Sequence, residues 1–410
     1  MTVKCTSGFA CMGAGKCVPD AAFALPDAGK GQNAASLATR PDGAWAVAWY
    51  DGTIDTEMHI QIQVSLQSNS VVTPALQVDD PGPHTAYAPS LVALADGTWL
   101  VIWRDEQWMQ NQVRFQGRRV ATDGSHVLGP AFEITQGWQK TGDGSTNIVS
   151  PVAVRLRDDA ILVAWPQGDA QTGAPTVHAR RLDQFGALAG PELDVGAGGP
   201  NLQAASPAIA PLPLGESLLV WQESTGKGPV RIRGRHFSAD GTPLGTVQTY
   251  SAAAQDYEAL PDVTAFADGA ILASWKSGND LSSTTAVDVK ARRFGADLLQ
   301  TSAAALQAVG TDPSGTYPDQ AATVALPTNR AALVWHTAQF PGSDVFLRRY
   351  YREPDALDCE TTIVAGPPLP GEDSARYLPD AEVLADGRVL VAWNVSAGGL
   401  PVVRVKFLPW

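Results

Sequence analysis

The chain has 410 residues, of which 44% are apolar and 17% are charged, and its formal net charge is −13. This composition is typical of a folded globular protein and argues against intrinsic disorder. With 29 basic residues against 42 acidic ones, the sequence lacks the excess of positive charge that a nucleic-acid surface requires. The longest apolar runs, such as residues 160–165 and 389–393, are much shorter than the about 20 residues of a membrane-spanning helix. We therefore expect neither nucleic-acid binding nor a membrane span.

Three of the four cysteines, Cys5, Cys11 and Cys17, lie six residues apart in a Gly-rich head, residues 1–20. They lack the C-x2-4-C spacing and the histidine partners of a zinc site, so disulfide bonds that also involve Cys359 are the better interpretation. Disulfides form in oxidising compartments, and neither a basic nor an apolar signal segment follows Met1. We expect a mature form whose export signal has been removed, in an extracellular, periplasmic or outer-surface location.

After the head, residues 21–25 form a short apolar run that is similar to residues 130–134 and 191–195. From residue 42 onward, one phrase recurs: an acidic or turn residue, often Asp-Gly, then an apolar run that ends in Trp. Its seven copies span residues 42–49, 96–103, 159–165, 216–221, 268–275, 330–335 and 386–393. The terminal Trp residues are 54, 62, 56, 54, 60 and 58 residues apart, which indicates a repeat architecture.

Each repeat contains the signals of four short strands. An apolar run opens near a proline, the Trp phrase follows, and an alternating run such as residues 230–237 precedes a fourth short segment. Asp-Gly hairpins between the strands and the absence of a 3.6-residue period predict an all-β, seven-bladed β-propeller of four-stranded antiparallel blades over residues 21–410. The last repeat has room for only three strands, so we expect residues 21–25 to supply the fourth and close the ring.

This repeat pattern resembles the seven-bladed β-propellers of secreted bacterial repeat proteins, over nearly the whole of residues 21–410. The likeness lies at the level of the fold, since the sequence has neither the sialidase Asp-box nor the WD40 dipeptide pattern, and it transfers no catalytic residue. The head that ends in Cys17-Val-Pro-Asp20 is similar to the short Cys-rich segments of myxobacterial secreted lipoproteins. That similarity implies a secreted location.

Recurring residues are expected to build the scaffold. The seven terminal Trp residues, with Trp45 and Trp99, are predicted to pack blade against blade because large aromatic side chains bury the most area. The Arg pairs at 118–119, 180–181, 292–293 and 348–349 are predicted to form structural salt bridges. Function should therefore lie where the blades differ.

The variable positions fall directly after each terminal Trp, on the face opposite the Asp-Gly hairpins. They are Tyr50, Arg104, Pro166, Gln222, Lys276, His336 and Asn394. Such variety is what a binding site requires, although simple solvent exposure would produce the same set. In the second blade, His84 and Tyr87 lie where the chain enters the innermost strand, and Arg104 and Trp108 lie where it leaves the second strand. The connection to the third blade carries Trp138.

We predict ligand binding by His84, Arg104, Trp108, Trp138, Lys276 and His336, because aromatic rings beside charged groups are suited to sugar rings. The alternative for Trp108 and Trp138 is that both cap the rim of the propeller. If the protein is an enzyme, His84, Tyr87 and Arg104 are the catalytic candidates, since they could supply a base and offset negative charge.

A Pro-Asp step opens the innermost strand in three successive blades and places Asp262, Asp319 and Asp380 around the channel. Carboxylates that share one channel repel each other unless a cation neutralises them, so they are candidate ligands of a Ca²⁺ ion; no other cofactor is expected. The alternative is that each Asp binds nearby backbone N–H groups.

Two functions remain open from the sequence. One is a secreted recognition module that binds a glycan or protein ligand on the variable face. The other is an extracellular carbohydrate-active enzyme, a polysaccharide lyase or hydrolase, with its site on the same face. The fold alone does not choose between them.

Overall fold

The structure is a computed structural model that describes much of the chain. The described residues are 9–12, 16–19, 22–25, 31–52, 58–67, 72–80, 85–107, 110, 112–140, 150–168, 175–196, 202–225, 229–251, 257–278, 287–299, 305–307, 318–337, 344–352, 355–357, 362–365, 372–397 and 399–409. Within them the regular structure is β, apart from one 3-10 turn at Pro213–Gly215. The part of the chain described here contains no helix with the length and apolar character needed to cross a bilayer.

The first strands lie in the head and at the ring closure. A hairpin of β1 (Phe9–Met12) and β2 (Lys16–Pro19) places the backbone of Cys11 opposite that of Cys17. The next strand, β3 (Phe23–Ala24), belongs to the propeller. Cys5 and Cys359 lie outside the described residues, and the division into a head and a propeller remains a prediction.

Seven antiparallel sheets follow, each built from strands that succeed one another from the channel outward. Blade 1 has β4 (Gln32–Thr39), β5 (Trp45–Asp51), β6 (His59–Ser65) and β7 (Leu76–Gln77). Blade 2 has β8 (Thr85–Ala93), β9 (Trp99–Gln107), β10 (Gln112–Val120), β11 (Val127–Glu133) and β12 (Gln139–Lys140), the last two both paired with β10. Blade 3 has β13 (Val152–Arg155), β14 (Ile161–Gly168), β15 (Pro175–Leu182) and β16 (Leu188–Asp194).

The remaining blades repeat this order. Blade 4 has β17 (Gln203–Pro211), β18 (Ser217–Ser224), β19 (Arg231–Phe237) and β20 (Pro243–Thr249). Blade 5 has β21 (Tyr257–Ala265), β22 (Ile271–Gly278), β23 (Asp288–Phe294) and β24 (Leu306–Gln307). Blade 6 has β25 (Pro318–Leu326), β26 (Arg330–Thr337), β27 (Val345–Tyr351), β28 (Ala356–Leu357) and β29 (Thr362–Ile363). Blade 7 has β30 (Glu372–Val383), β31 (Val389–Ala397), β32 (Leu400–Leu408) and the N-terminal β3.

The seven innermost strands form a closed ring, since each contacts the innermost strand of the next blade and β30 contacts β4. The N-terminal segment closes the outer part of blade 7: Phe23 pairs with Val405, and the Leu25 amide donates to the Val403 carbonyl at 3.2 Å. The predicted seven-bladed β-propeller and its closure by the N-terminal strand are both confirmed.

The core lies between neighbouring blades. All seven terminal Trp side chains, and Trp45 and Trp99, are at most 2% exposed. The clusters that contain them join the apolar positions of one second strand to those of the adjacent blade, for example blade 1 to blade 2. Because successive side chains of a strand point to opposite faces, each second strand packs on both neighbours at once. The expected packing role of these Trp residues is confirmed.

The arginine pairs tie the blades together. The first member of a pair reaches the preceding blade: Arg118 donates to the Val78 carbonyl at 2.9 Å, and Arg180 donates to the Ile134 carbonyl at 2.6 Å. The second member pairs with the hairpin carboxylate of its own blade, as Arg119 does with Asp96. For these pairs, the predicted structural role is confirmed.

Further arginines connect the hairpin turns below the channel. Arg40 of blade 1 donates to the Gly97 carbonyl of blade 2 at 2.6 Å. Arg157 of blade 3 donates to the Phe266 and Ala267 carbonyls of blade 5, at 2.6 and 2.8 Å. The blades are therefore cross-linked at the hairpin face by side-chain-to-backbone hydrogen bonds.

Candidate functional site

A β-bulge interrupts the innermost strands just below the variable face. The register shifts by one residue against the second strand, and one non-glycine residue adopts a left-handed backbone with φ of 48–51°. The five residues in this conformation are Ala34, Ala88, Ser206, Leu260 and Leu378. Four of them directly precede a proline. A bulge redirects the side chains on either side of it, so it separates two functional levels of each strand.

On the hairpin side of the bulge, the side chain two residues after the left-handed residue binds the next blade. We call Ser36, Ser90, Asp262 and Asp380 the latch residues. Each accepts a hydrogen bond from a backbone N–H of the following innermost strand, at 3.1 Å from Leu91, 3.0 Å from Ala153, 2.5 Å from Thr323 and 2.7 Å from Leu37, respectively. Two of the Pro-Asp carboxylates thus take the structural role that was the alternative to metal binding.

The channel is nevertheless acidic. Asp262, Asp380 and Glu382, which we call the channel carboxylates, are partly accessible and influence one another across blades 5 and 7. Burial raises the pKa of Asp262 to about 7, that of Asp380 to about 6 and that of Glu382 to about 8, and the charge of Asp380 contributes to the pKa of the other two. Among the described residues, no group of three His, Cys, Asp or Glu side chains has a metal-binding arrangement. The Asp319 side chain is outside them, and the Ca²⁺ site stays a prediction.

Above the bulge, the residue before the left-handed position pairs with the residue after the terminal Trp. These cross-strand pairs are Asn33–Tyr50, Tyr87–Arg104, Ala205–Gln222, Ala259–Lys276 and Tyr377–Asn394. Five of the seven variable positions expected from the sequence are therefore at one level of the ring. Blades 7, 1 and 2 concentrate the aromatic side chains at this level.

Tyr87 is at the centre of that arc. Its phenol donates to Glu106 Oε2, and the Arg104 guanidinium lies 5.0 Å from the Tyr87 ring centroid while binding the same carboxylate at 2.9 Å. The Tyr50 ring of blade 1 contacts Tyr87 edge-on, with 6.1 Å between centroids. Arg104 and Glu106 are buried, whereas both tyrosines remain partly exposed.

Tyr377 of blade 7 extends the arc on the other side of Tyr50. Burial raises the pKa of Tyr50, and the nearby Tyr377 phenol adds to this effect. Burial likewise raises the pKa of Tyr377 and, more strongly, that of Tyr87. All three phenols are therefore neutral near pH 7. We call Tyr50, Tyr87, Arg104, Glu106 and Tyr377 the mouth cluster.

Trp138 belongs to a different group of side chains. Its ring lies 4.4 Å from the Arg114 guanidinium, which also binds Asp105 at 2.7 Å and Glu133 at 2.9 Å. Asp105 and Arg104 are consecutive in β9, so their side chains point to opposite faces of blade 2. Trp138 is thus associated with the face of Asp105, and Tyr87 with the face of Arg104.

The other predicted ligand residues are distributed as follows. Lys276 is partly exposed above the bulge of blade 5, and His336 is buried opposite Val345 in blade 6. His84 and Trp108 lie outside the described residues. Arg104 and Trp138 are on opposite faces of blade 2, so these two do not share a pocket there, and the predicted convergence with His84 and Trp108 stays untested for those two residues.

Sequence reasoning selected Tyr87 and Arg104 and missed three members of the mouth cluster as ligand residues. A signal was present in the sequence: Tyr87 and Tyr377 each stand two residues before the proline of the bulge, and Tyr50 directly follows a terminal Trp. Glu106 could be identified only from its hydrogen bonds.

Neither a protein-family model nor a curated protein matches this sequence. Solved structures do match. An ulvan lyase, a polysaccharide lyase bound to a glucuronic acid–sulfated rhamnose saccharide, aligns with a TM-score of 0.59 at 8% identity over 93% of this chain and 94% of that chain. A protein of unknown function from Dyadobacter fermentans aligns at 0.55 and 13% identity over 95% and 97% of the two chains. An α-L-arabinanase of Penicillium chrysogenum in complex with arabinobiose aligns at 0.54 and 16% identity over 80% and 96%. At these identities the comparison shows a shared fold.

Proposed function

We propose that this protein binds a glycan on the variable face, with the mouth cluster as the centre of the site. One observation carries the proposal: three partly exposed tyrosines from three consecutive blades are neighbours in the order Tyr377, Tyr50 and Tyr87, and the last of them contacts the buried Arg104–Glu106 pair. Aromatic faces stack on the apolar faces of sugar rings, and phenols with a charged pair supply hydrogen bonds to hydroxyl groups.

The comparisons support a glycan over a protein ligand. The similar propellers include a lyase and an arabinanase whose named ligands are saccharides. The expected location outside the cytoplasm, where polysaccharides are encountered, is part of the same proposal and rests on the cysteines of the head.

A carbohydrate-active enzyme is the second candidate, favoured by the bonds of Glu106. Its carboxylate accepts from both Tyr87 and Arg104, which is an arrangement that holds a carboxylate in one orientation for proton transfer or nucleophilic attack. Burial keeps the Tyr87 phenol protonated by raising its pKa, so this residue fits the role of a neutral hydrogen-bond donor better than that of a base.

Affinity electrophoresis through polysaccharide gels tests the proposal. We expect retardation of the wild-type protein, and about two- to tenfold weaker binding by Tyr50→Ala and Tyr377→Ala, since one aromatic stacking contact contributes about 0.5–1.5 kcal/mol. Tyr351→Ala is the matched control, because Tyr351 is a partly buried tyrosine at the hairpin end of blade 6.

The same polysaccharides, assayed for new reducing ends and for unsaturated products, separate the two candidates. Binding without products supports a recognition module, and turnover that Glu106→Gln abolishes supports an enzyme. A folded wild-type protein that binds no glycan and binds a protein ligand instead would overturn the proposal.

A further inference from the structure

We infer that the glycan bound at the mouth cluster is neutral rather than anionic. This inference rests on the proposed function and names the substrate class of the same site. It follows from the charges of the three blades that supply the cluster, together with those of the channel beneath it.

In these three blades the described arginines near the mouth already bind carboxylates. Arg104 binds Glu106 at 2.9 Å, and Arg376 of blade 7 binds Asp344 of blade 6 at 3.0 Å. Further out, Arg114 binds Asp105 at 2.7 Å and Arg404 binds Glu372 at 2.6 Å. The guanidinium groups of Arg104 and Arg376, and the carboxylates of Glu106 and Asp105, are buried. An incoming anion would meet guanidinium groups whose charge is already balanced by an internal carboxylate, and it would compete with that carboxylate for the arginine.

Blade 1 also has two buried carboxylates, each with a partner inside the blade. Asp51, which is 4% exposed and adjacent to Tyr50, accepts a hydrogen bond from the neutral Gln61 amide at 3.0 Å. Asp79 binds His59 at 2.9 Å.

The channel carboxylates lie on the innermost strands below the mouth. Each of them is partly accessible, and because burial raises the pKa of Asp262 to about 7 and that of Glu382 to about 8, Asp380, with a pKa of about 6, carries most of the negative charge of the channel near pH 7. The whole chain carries a net charge of −13. A polyanion therefore approaches a repulsive field both at long range and at the site.

A neutral sugar matches these groups better. Its hydroxyl groups both donate and accept hydrogen bonds, so they can bind an intact Arg–Glu pair and the three phenols without breaking an internal ion pair. If the site is also catalytic, a neutral substrate favours hydrolysis, because β-elimination requires a uronate carboxylate.

Affinity electrophoresis in matched gels tests the inference. The neutral probes are arabinan, galactan and xylan, and the anionic probes are polygalacturonate, ulvan and alginate, each at 20 and 150 mM NaCl. We expect the wild-type protein to bind at least one neutral polymer with little dependence on salt, and to bind each anionic polymer at least about tenfold more weakly.

The variant Glu106→Gln removes the carboxylate that neutralises Arg104 and should increase binding to the anionic polymers at 20 mM NaCl by at least about tenfold. Glu133→Gln, which alters the half-exposed partner of Arg114, is the control and should change little. Wild-type binding to an anionic polymer, with none to the neutral ones, would overturn this inference and leave glycan binding intact. Failure of the folded wild-type protein to bind any of the polymers would overturn the proposed function itself.

Discussion

Replacing Asp380 separates its hydrogen-bonding role from its charge. Asp380 joins the last blade to the first, because its Oδ2 accepts from the Leu37 amide at 2.7 Å across the seam of the ring. The variant Asp380→Asn keeps an acceptor oxygen and removes the charge, whereas Asp380→Ala removes both. The two variants should therefore differ from each other, and the difference from wild type should depend on pH.

The magnitude follows from two opposing effects. Burial raises the pKa of Asp380 from 3.8 to about 6, so the folded state loses stability as the pH rises from about 4 to about 6 and the carboxyl ionises. The full shift corresponds to about 3 kcal/mol, and partial exposure to the channel reduces this to about 1–2 kcal/mol. Loss of the acceptor leaves the Leu37 N–H unsatisfied, at a cost of about 1–3 kcal/mol.

At pH 8 we expect Asp380→Asn to be more stable than wild type by about 1–2 kcal/mol and Asp380→Ala to be near wild type. At pH 5, midway through this window, the Asn variant should keep about half of that advantage, and the Ala variant should be about 1 kcal/mol less stable than wild type. An unfolding entropy of about 2.1 cal/mol/K per residue, applied to 410 residues, converts 1 kcal/mol to about 1 °C in Tm. Scanning calorimetry at constant ionic strength from pH 4.5 to 8.5 resolves such shifts.

If the Asn and Ala variants both melted below wild type at pH 8, and by the same amount, this reasoning would be refuted. That result would mean that the ionised carboxylate itself is required, as it is for a cation in the channel. Added Ca²⁺ should then raise the Tm of wild type and leave that of Asp380→Asn unchanged.

Three further predictions concern the scaffold. Deletion of residues 1–26 should lower the Tm sharply, because it removes the strand whose Phe23 contacts Trp45 and Phe407, and an unchanged melting curve would contradict ring closure by this strand. Mass spectrometry of a non-reduced digest should recover a Cys11–Cys17 disulfide, because these residues are opposite each other in the head hairpin. It should also recover a Cys5–Cys359 disulfide as the remaining pair. A free Cys359 thiol would exclude this second disulfide. Gly234→Ala should lower stability by about 1–3 kcal/mol, since its Cβ would lie 2.6 Å from the Tyr250 ring, whereas Gly190→Ala, with open space at that position, should be nearly neutral by the same thermal assay.

The repeat could be predicted because the sequence signals of each blade lie close together within that blade. The Trp phrase, the Asp-Gly hairpins and the alternating third strand lie within one blade, so their order and number predict seven blades and the fourth strand that the last repeat lacks. The arginine pairs at 118–119 and 180–181 were also assigned correctly, since a residue that recurs in the same strand of several blades meets similar neighbours in each.

The partners of the latch residues could not be predicted in this way. Asp380 binds Leu37, which is 343 residues away in the sequence, and Asp262 binds Thr323 at a separation of 61. The pattern shows that Ser36, Ser90, Asp262 and Asp380 occupy equivalent positions, and only the register between blades shows that all four accept a backbone N–H. Glu106 was missed for the same reason, because its role depends on the side-chain positions of Tyr87 and Arg104.

The bulge explains how one strand can serve both stability and recognition. On the hairpin side of it, the latch residues bind backbone groups that every blade possesses, so this level depends little on which side chains neighbour it. On the other side, the paired positions range from Ala259–Lys276 to Tyr87–Arg104 without any change in backbone register. Because the left-handed residue between the two levels absorbs the change in direction, side chains at the mouth can vary while the ring keeps its closure. The arc of Tyr377, Tyr50 and Tyr87 thus depends on which side chains occupy these positions, because the backbone is the same in each of these blades. Substitutions in the arc should alter ligand choice far more than stability.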